Sequence, residues 1–544
     1  MVDASARVSS DDDTIPPRLL TGSASGGDWR YLAEGGAHLV LEYVGQDPTL
    51  SCKVLRLGKV KLLQGDASGA DAGDVRAAKP PTMHLGITDT QLWAGVCDAS
   101  LSRATSEEER THALVAAVLL PLLGDHLADA GELVRVDNSF LAAVAAAAAP
   151  LRPIERAVNT GLDDGARFAV LLRNRNVIAP FGLAHPCPKV AGAVGTPLEQ
   201  PPVFSVEIKP KFGFIPESRS RGVSRFQMHQ MLKLWKGEID RVSQYDPPDL
   251  FFGVGATDAR ADSSSSKAER RSRARQALLA LVNDPQNNLC VRRTDYPGAP
   301  VYGRGASRIP VYSPSAQEFG ESHEVEENEG HETDGIMKLA RALKDGFFPA
   351  PLDGMSPEGT VNIFIDVVAS CLEHSGVMAR VLEMQRLDRI GVERAAELAE
   401  CLSARAATFA RGMDAGVEDQ GCNAGVDDSA FDVEESGAIQ SLRDFVVAAT
   451  AKDCSVILAI QQMGCPPTPF GAHCRESDGT MLIDVTHPED RSDVGEEIIS
   501  AGERLVYRCR ASVVDLDIKS VRKLPAWLAL DKEIVAHYDT VNLT

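Results

Sequence analysis

Charged and aliphatic residues alternate in two distant stretches, Glu207-Ile208-Lys209-Pro210-Lys211 and Val513-Val514-Asp515-Leu516-Asp517-Ile518-Lys519. Successive side chains on an extended chain point to opposite faces, so this period of two predicts strands with one apolar and one densely charged face. Glu207, Lys209 and Lys211 share a face in the first stretch. Asp515, Asp517 and Lys519 share one in the second, opposite Val514, Leu516 and Ile518. Pro210 fits only a strand end, an edge or a bulge. Two lysines side by side repel unless an anion lies between them, although either stretch taken alone also reads as a solvated strand face.

The order of elements around these stretches sets the fold class. Residues 1–27 are rich in Ser, Asp and Gly and are expected to form a disordered tail. Glu34–Tyr43, with its Gly35-Gly36 turn, and Cys52–Leu57 read as a hairpin. Helical character follows at 108–130 and in the alanine run Ala142–Ala149, which Pro150 ends, and Phe168–Leu172 reads as a strand. Val203–Lys211 is the next strand, after a Pro-rich loop at 180–202. Helices are then predicted at 223–243, 266–283, 335–346, 360–375, 378–387, 392–411 and 437–450, with strands returning at Ser455–Ile460 and Ala511–Lys519. Three segments, 314–334, 414–436 and 464–498, read as flexible inserts. This pattern predicts an α+β, two-lobed protein with a sheet-rich N-lobe over 28–173. The C-lobe, 174–544, is larger and mostly helical with a small sheet, and the active site is expected in the cleft between the lobes.

The formal net charge of −21 argues against nucleic-acid binding, which needs a basic field, but leaves room for a local basic pocket. The eleven cysteines are odd in number and contain no CxxC pair, a pattern that fits reduced thiols in the cytoplasm or nucleus. The N-terminus lacks the basic and apolar regions of a signal peptide. The apolar run Ala113–Leu123 contains Pro121 and is too short to span a bilayer. A soluble monomer without a nucleic-acid or membrane partner is expected.

Several residues could carry chemistry. Arg225, His229 and Lys233 fall on one stripe of a predicted helix, with Met228, Leu232 and Trp235 on another face and Arg219 and Arg221 just upstream. Three basic groups at this spacing cost helix stability unless polyanions offset them. Asp453, in Ala449–Ser455, sits between a helix and the buried-looking strand Val456–Ile460, and could take a substrate proton or serve as a turn residue. Carboxylates such as Asp515 at a strand end suit Mg²⁺, and Lys519 could hold a phosphate beside it. The Glu34-Gly35-Gly36-Ala37 turn could offer backbone N–H groups to phosphates or be an ordinary hairpin turn.

Taken together, the segments Glu34–Tyr43, Lys53–Arg56, Glu207–Phe214, Ser224–Leu234, Pro285–Asn288, Ala449–Ser455 and Asp515–Leu530 resemble the inositol-pentakisphosphate 2-kinase family, in its plant-type form. They run in family order from residue 28 to about 538. The resemblance implies a two-lobed fold similar to protein kinases. It also implies ATP- and Mg²⁺-dependent phosphorylation of the 2-hydroxyl of inositol 1,3,4,5,6-pentakisphosphate, giving inositol hexakisphosphate (phytate) and ADP. By position, it makes Asp453 the base and a second Mg²⁺ ligand, Asp515 the Mg²⁺ ligand, and Lys209 a catalytic lysine. Glu34, Gly35, Gly36, Ala37, His38 and Arg56 would hold ATP phosphates, with Arg173 and Arg175 at the adenine hinge. Arg135, Lys209, Lys211, His229, Lys233, Asn287, Asn288, Lys519, Lys523 and Trp527 would contact the inositol phosphate. Five phosphate monoesters carry roughly −8 to −10 charges, which explains basic motifs within an acidic chain.

The chain also departs from the family pattern. The glycine loop reads Leu32-Ala33-Glu34-Gly35-Gly36-Ala37-His38, where the family has Arg-Gly-Glu-Gly-Gly-Ala-Asn. Cys290 stands at a family arginine and Trp527 at a family tyrosine. The CPxC pair of the plant-type zinc site has no counterpart, and Glu397 lies where that site's helix offers a histidine, so no structural zinc is expected. The alternative reading is a non-catalytic inositol polyphosphate sensor on the same fold.

Overall fold

Leu39 and Leu41 on one strand face Leu57 and Leu55 on the next, and all four are buried. In the computed structural model, residues 18–22, 26–62, 88–96, 98–178, 201–214, 222–253, 266–294, 310–312, 331–344, 346–348, 355–414, 428–463, 479–484 and 506–542 are described. Arg219, Arg221 and most of the expected tail and of the three inserts lie outside the described residues.

The aliphatic alternation belongs to a sheet of seven strands among the described residues. These are β1 (Leu19–Leu20), β2 (Trp29–Glu34), β3 (His38–Tyr43), β4 (Lys53–Lys61), β5 (Glu132–Val136), β6 (Thr160–Leu162) and β7 (Phe168–Arg173). The order is β1-β5-β7-β4-β3-β2, with β6 beside β4. Helix α1 (Asn138–Ala148) adds Phe140, Leu141 and Val144 to the core beneath this sheet. It begins before the alanine run because the Asp137 side chain accepts the Phe140 N–H at 2.7 Å, a helix N-cap.

The second sheet, of six described strands, joins β8 (Val203–Ile208), β9 (Leu289–Thr294), β10 (Pro310–Tyr312), β11 (Ser455–Met463), β12 (Met481–Asp484) and β13 (Val506–Val514) in the order β10-β9-β8-β11-β13-β12. Every pair is antiparallel. All but the last residue of β11 and of β13 is buried, as expected for strands covered on both faces. The longer helices around it are α2 (Arg225–Trp235), α3 (Lys267–Asn283), α4 (His331–Leu343), α5 (Pro357–Ser375), α6 (Val377–Gln385), α7 (Gly391–Asp414), α8 (Asp428–Ala451) and α9 (Leu524–Asn542). The Phe347 ring lies 5.3 Å from Phe204 of β8, Phe364 of α5 and Tyr507 of β13, which joins helix to sheet.

Three expectations need correction. The two charged stretches are not strand faces. β8 stops at Ile208 and β13 at Val514, so Lys209, Lys211, Asp515, Asp517 and Lys519 lie beyond the ladders. Pro210 has no N–H to give, and Lys211 and Asp515 both adopt a left-handed φ of 60°, which breaks the alternation. The helix expected at 223–243 ends at Trp235, before Gly237 with φ 69°. The helical stretch expected to reach residue 130 stops at Leu123, before Gly124 with φ 83°.

The chain divides into two compact units. The first comprises residues 1–70, 103–112 and 130–174, and the second 71–102, 113–129 and 175–544. Residues 113–129 and the described part of 71–102, within the range expected for the N-lobe, therefore group with the second unit. Among the described residues no single helix is long and apolar enough to cross a membrane. The bent pair α5 and α6 passes by composition, and its apolar residues, such as Phe364, Val368 and Leu382, belong to the core.

Candidate active site

Within the second unit, the ends of β8, α8 and β13 bring lysines and carboxylates together. Lys209 Nζ lies 3.5 Å from Asp515 Oδ2, and Lys211 Nζ lies 3.5 Å from Asp453 Oδ1. Lys519 Nζ donates to Asp453 Oδ2 at 2.6 Å, and Ser455 Oγ donates to Asp515 Oδ2 at 2.9 Å. The Asp453 and Asp515 side chains remain about half exposed, at 51% and 54%, so both are open to a ligand.

Backbone contacts hold each carrier in place. The Lys209 N–H donates to the Asn288 carbonyl at 2.9 Å. Tyr245 Oη donates to the Pro210 carbonyl at 2.9 Å. The Asp453 N–H closes a turn onto Thr450 O at 3.1 Å, and the Lys519 N–H donates to Thr450 Oγ1 at 3.2 Å. Asn288 is buried, and its Oδ1 has no hydrogen-bond partner among the described residues. Asn287 beside it is exposed.

The electrostatics follow from this mixture of signs. Burial would raise the Asp453 pKa, but the hydrogen bond and charge of Lys519, with Lys211 and Lys209, hold it below its usual value. Burial works against the Lys209 charge, and Asp515, Glu207 and Asp453 outweigh it, so its pKa is raised. Burial, with help from Lys209 and Lys233, lowers that of Lys211 despite the opposing pull of Asp453. Burial would raise the pKa of Glu207, which is part-buried and bonded to Arg292 at 2.8 Å, but Arg292, with Lys209 and Ser455, holds it below its ordinary value.

Ser224 caps α2 by accepting the Gln227 N–H at 3.2 Å, which starts the helix at Arg225. Of the predicted stripe, Arg225 is paired with Asp531 of α9 at 2.7 Å. His229 is pushed down to about 4, first by burial and then by Lys233, Arg225, Lys236 and Lys211. The four cations that contribute to this shift show that positive charge gathers around the ring, in addition to burial. Lys523 is exposed in a short turn after Ser520, and Trp527 is half-buried on α9 with its ring 6.3 Å from Phe445.

The first unit holds the glycine turn. Gly35 N–H donates to His38 O at 3.0 Å, closing the β2–β3 connection. A Cβ at Gly35 or Gly36 would meet nothing within 4 Å, so the unit's own packing does not demand glycine there. The Glu34 carboxylate is turned inward, bonded to Lys59 at 2.5 Å and to Arg152 at 2.9 Å, and so anchors the turn's base. Arg56 lies 3.4 Å from His38 Nε2 on the neighbouring strand. Arg135 and Arg173 are exposed on β5 and β7, while Arg175 belongs to the second unit, buried 3.9 Å from Asp129.

A family model described as inositol-pentakisphosphate 2-kinase matches residues 31–533. The chain belongs to the inositol-pentakisphosphate 2-kinase family. A relative named inositol-pentakisphosphate 2-kinase from Arabidopsis thaliana is 28% identical over 520 residues, covering 94% of this chain and 93% of the relative. Relatives of that name from Oryza sativa subsp. japonica and Danio rerio are each 24% identical, with the same coverage of both chains. In this member of the inositol-pentakisphosphate 2-kinase family, the clustered residues Lys209, Lys211, Asp453, Asp515 and Lys519 all lie in segments that carried the sequence resemblance. Ser455 closes the last of the Ala449–Ser455 motif, but its bond to Asp515 had no sequence signal of its own.

Proposed function

We propose that this protein transfers the γ-phosphoryl group of ATP to the 2-hydroxyl of inositol 1,3,4,5,6-pentakisphosphate, giving inositol hexakisphosphate and ADP. The observation that carries this reading is Asp453, a half-exposed carboxylate held between Lys211 and Lys519 and one lysine removed from Asp515. A kinase-like arrangement of two lobes goes with it.

Phosphoryl transfer needs alignment and charge neutralisation more than covalent chemistry. Asp453 is ionised at neutral pH, so it accepts a hydrogen bond from the substrate hydroxyl, orients that oxygen and receives its proton. Its lowered pKa makes it a weak base, which suits a loose transition state in which the proton moves late. In this reading Lys209 and Lys519 neutralise charge on the transferring group, and Lys211, His229, Lys233 and the Asn288 amide receive ring phosphates. The unpaired Asn288 Oδ1 is an acceptor and calls for a donor such as water, leaving the amide NH₂ as the group that could meet a phosphate.

Mg²⁺ binds through one or two carboxylates plus substrate phosphates, and the hard-oxygen pair Asp515 and Asp453 fits that need. When bound, it would screen charge on the ATP phosphates. The open space at Gly35 and Gly36 supports backbone approach to those phosphates. Glu34 acts indirectly in this reading, by anchoring the turn.

The direct test is transfer of label from γ-labelled ATP to the pentakisphosphate. Labelled hexakisphosphate supports the proposal, whereas tight binding with no product would restore the sensor reading. Retention of both carboxylates among the lysines disfavours that reading, since a pure binder of polyanions gains nothing from them.

His229 offers a second test. Burial and, after it, the neighbouring cations hold its pKa near 4, and five phosphates would offset the cations' share, so binding at pH 6 should raise that pKa and draw in part of a proton. Calorimetry in two buffers of different ionisation enthalpy should show net proton uptake greater in the wild type than in His229→Gln. Equal values for the two proteins would remove His229 from the phosphate site.

A further inference from the structure

Gln385, the last residue of α6, and Asp388 just beyond it tie together the segments that carry the reacting groups. Gln385 is fully buried. Its Oε1 accepts the N–H groups of Gly213 at 2.8 Å and Phe214 at 3.2 Å. Its Nε2 donates to the carbonyls of Lys211 at 2.8 Å and Ala451 at 3.3 Å. Both acceptor sites and both donors of the amide are thus used. On one side stands the segment with Lys209 and Lys211, and on the other the turn that ends in Asp453. Three residues on, Asp388 Oδ2 takes Lys452 Nζ at 2.5 Å, and Asp388 Oδ1 accepts the Gly391 N–H at 2.7 Å. The Asp388 N–H returns to Gln385 O at 3.2 Å, which closes the turn between the two anchors.

We infer that Gln385 and Asp388 are positioning residues that fix the spacing between Lys211 and the base Asp453. The inference rests on the functional reading above, but concerns residues that touch no substrate. The Lys211 backbone is left-handed, with φ 60°, a conformation that persists where surrounding bonds over-determine it. Gln385 grips the carbonyl of that residue and the backbone two residues before Asp453. One amide thus bonds the backbones from which Lys211 and Asp453 extend, and their Nζ and Oδ1 atoms stand 3.5 Å apart. A displacement of about 1 Å in such a constellation costs about a hundredfold in rate.

Gln385→Glu tests this with little change in volume. The carboxylate can still accept from Gly213 and Phe214, but it turns an oxygen towards the Lys211 and Ala451 carbonyls. Protonation restores one donor, and burial among carbonyls raises the pKa of the new carboxyl. The segments it bonds carry Glu207, Lys209 and Lys211 on one side and Lys452 and Asp453 on the other, with Arg386 and Asp388 on its own segment. At pH 7.5 the expected kcat is about 10- to 100-fold below wild type, with KM for ATP within about twofold. Between pH 7.5 and pH 6 the ratio of variant to wild-type kcat should recover several-fold. Gln385→Met loses all four bonds and should fall without recovery in acid, so general destabilisation is separated from loss of the donor.

A variant-to-wild-type ratio that is flat with pH, or a Gln385→Glu kcat equal to wild type, overturns the inference. Were the wild type inactive, the functional reading would fail by itself. Pentakisphosphate affinity would then decide: weakening in Gln385→Glu that reverses in acid supports ordering of Lys211, and unchanged affinity refutes it.

Discussion

Asp453→Asn should fold normally and lose about 10²- to 10⁴-fold in kcat for hexakisphosphate formation, with pentakisphosphate affinity equal to or tighter than wild type. Asparagine matches the carboxylate in size, and the side chain is half exposed, so packing is little disturbed. It loses the charge and the capacity to take a proton. One of its positions becomes an NH₂ facing Lys211 or Lys519, each of which now meets Asp453 within 3.5 Å. Removing a negative charge from among lysines favours a polyanionic ligand, so ground-state binding and turnover should move in opposite directions. That split distinguishes a base from a substrate anchor, whose loss would weaken binding. A kcat within tenfold of wild type would mean that the hydroxyl is oriented by another group.

Asp515→Asn should lower kcat roughly 10²- to 10³-fold and raise the Mg²⁺ concentration needed for half-maximal rate. Asparagine is the informative replacement because it tolerates the left-handed backbone that Asp515 adopts, with φ 60°. Its side-chain carbonyl can still accept the Ser455 hydroxyl, which now bonds Asp515 Oδ2 at 2.9 Å. The change therefore isolates the negative charge. An Mg²⁺ titration run at saturating ATP, with nucleotide binding measured separately without metal, reads the effect. An unaltered Mg²⁺ requirement would move the metal site away from Asp515.

Local pattern carried much of this architecture into the sequence. The hairpin of β3 and β4 was legible because its leucines alternate over a buried face. Helices α2 to α8 were legible from their period, α9 (Leu524–Asn542) was missed, and ends were misjudged where a single cap decides them, as at Gly237. The strand ends were misread for a related reason. The alternating pattern of the sequence runs on through Lys209–Lys211 and Asp515–Lys519, but the strands end at Ile208 and Val514 and the φ values of Lys211 and Asp515 break the alternation of side chains.

In the candidate site, residues within short motifs were legible, and long-range partners were not. Asp453 and Lys519 stood out from their own segments. Nothing near Gln385 or Asp388 announces their bonds to Lys211 and Lys452, which lie far off in the chain. The same limit applies to Arg225, which read as part of a free basic stripe until Asp531 proved to be beside it. The inward turn of Glu34 depends on Lys59 and Arg152, neither of which belongs to the glycine motif.

The left-handed residues Lys211 and Asp515 have a practical consequence for anyone seeking a hardier version of the molecule. Replacing a non-glycine residue at positive φ by glycine is a common stabilising step, because the side chain's steric conflict disappears. That step would relieve about 1 kcal/mol of conformational strain at Lys211 and less at Asp515, since aspartate tolerates the left-handed region better than lysine. It would also delete an ammonium or a carboxylate from the centre of the cluster. Thermal robustness and turnover are therefore set against each other at the same two backbone positions, and a library selected for melting temperature alone would drift towards a stable, inert protein.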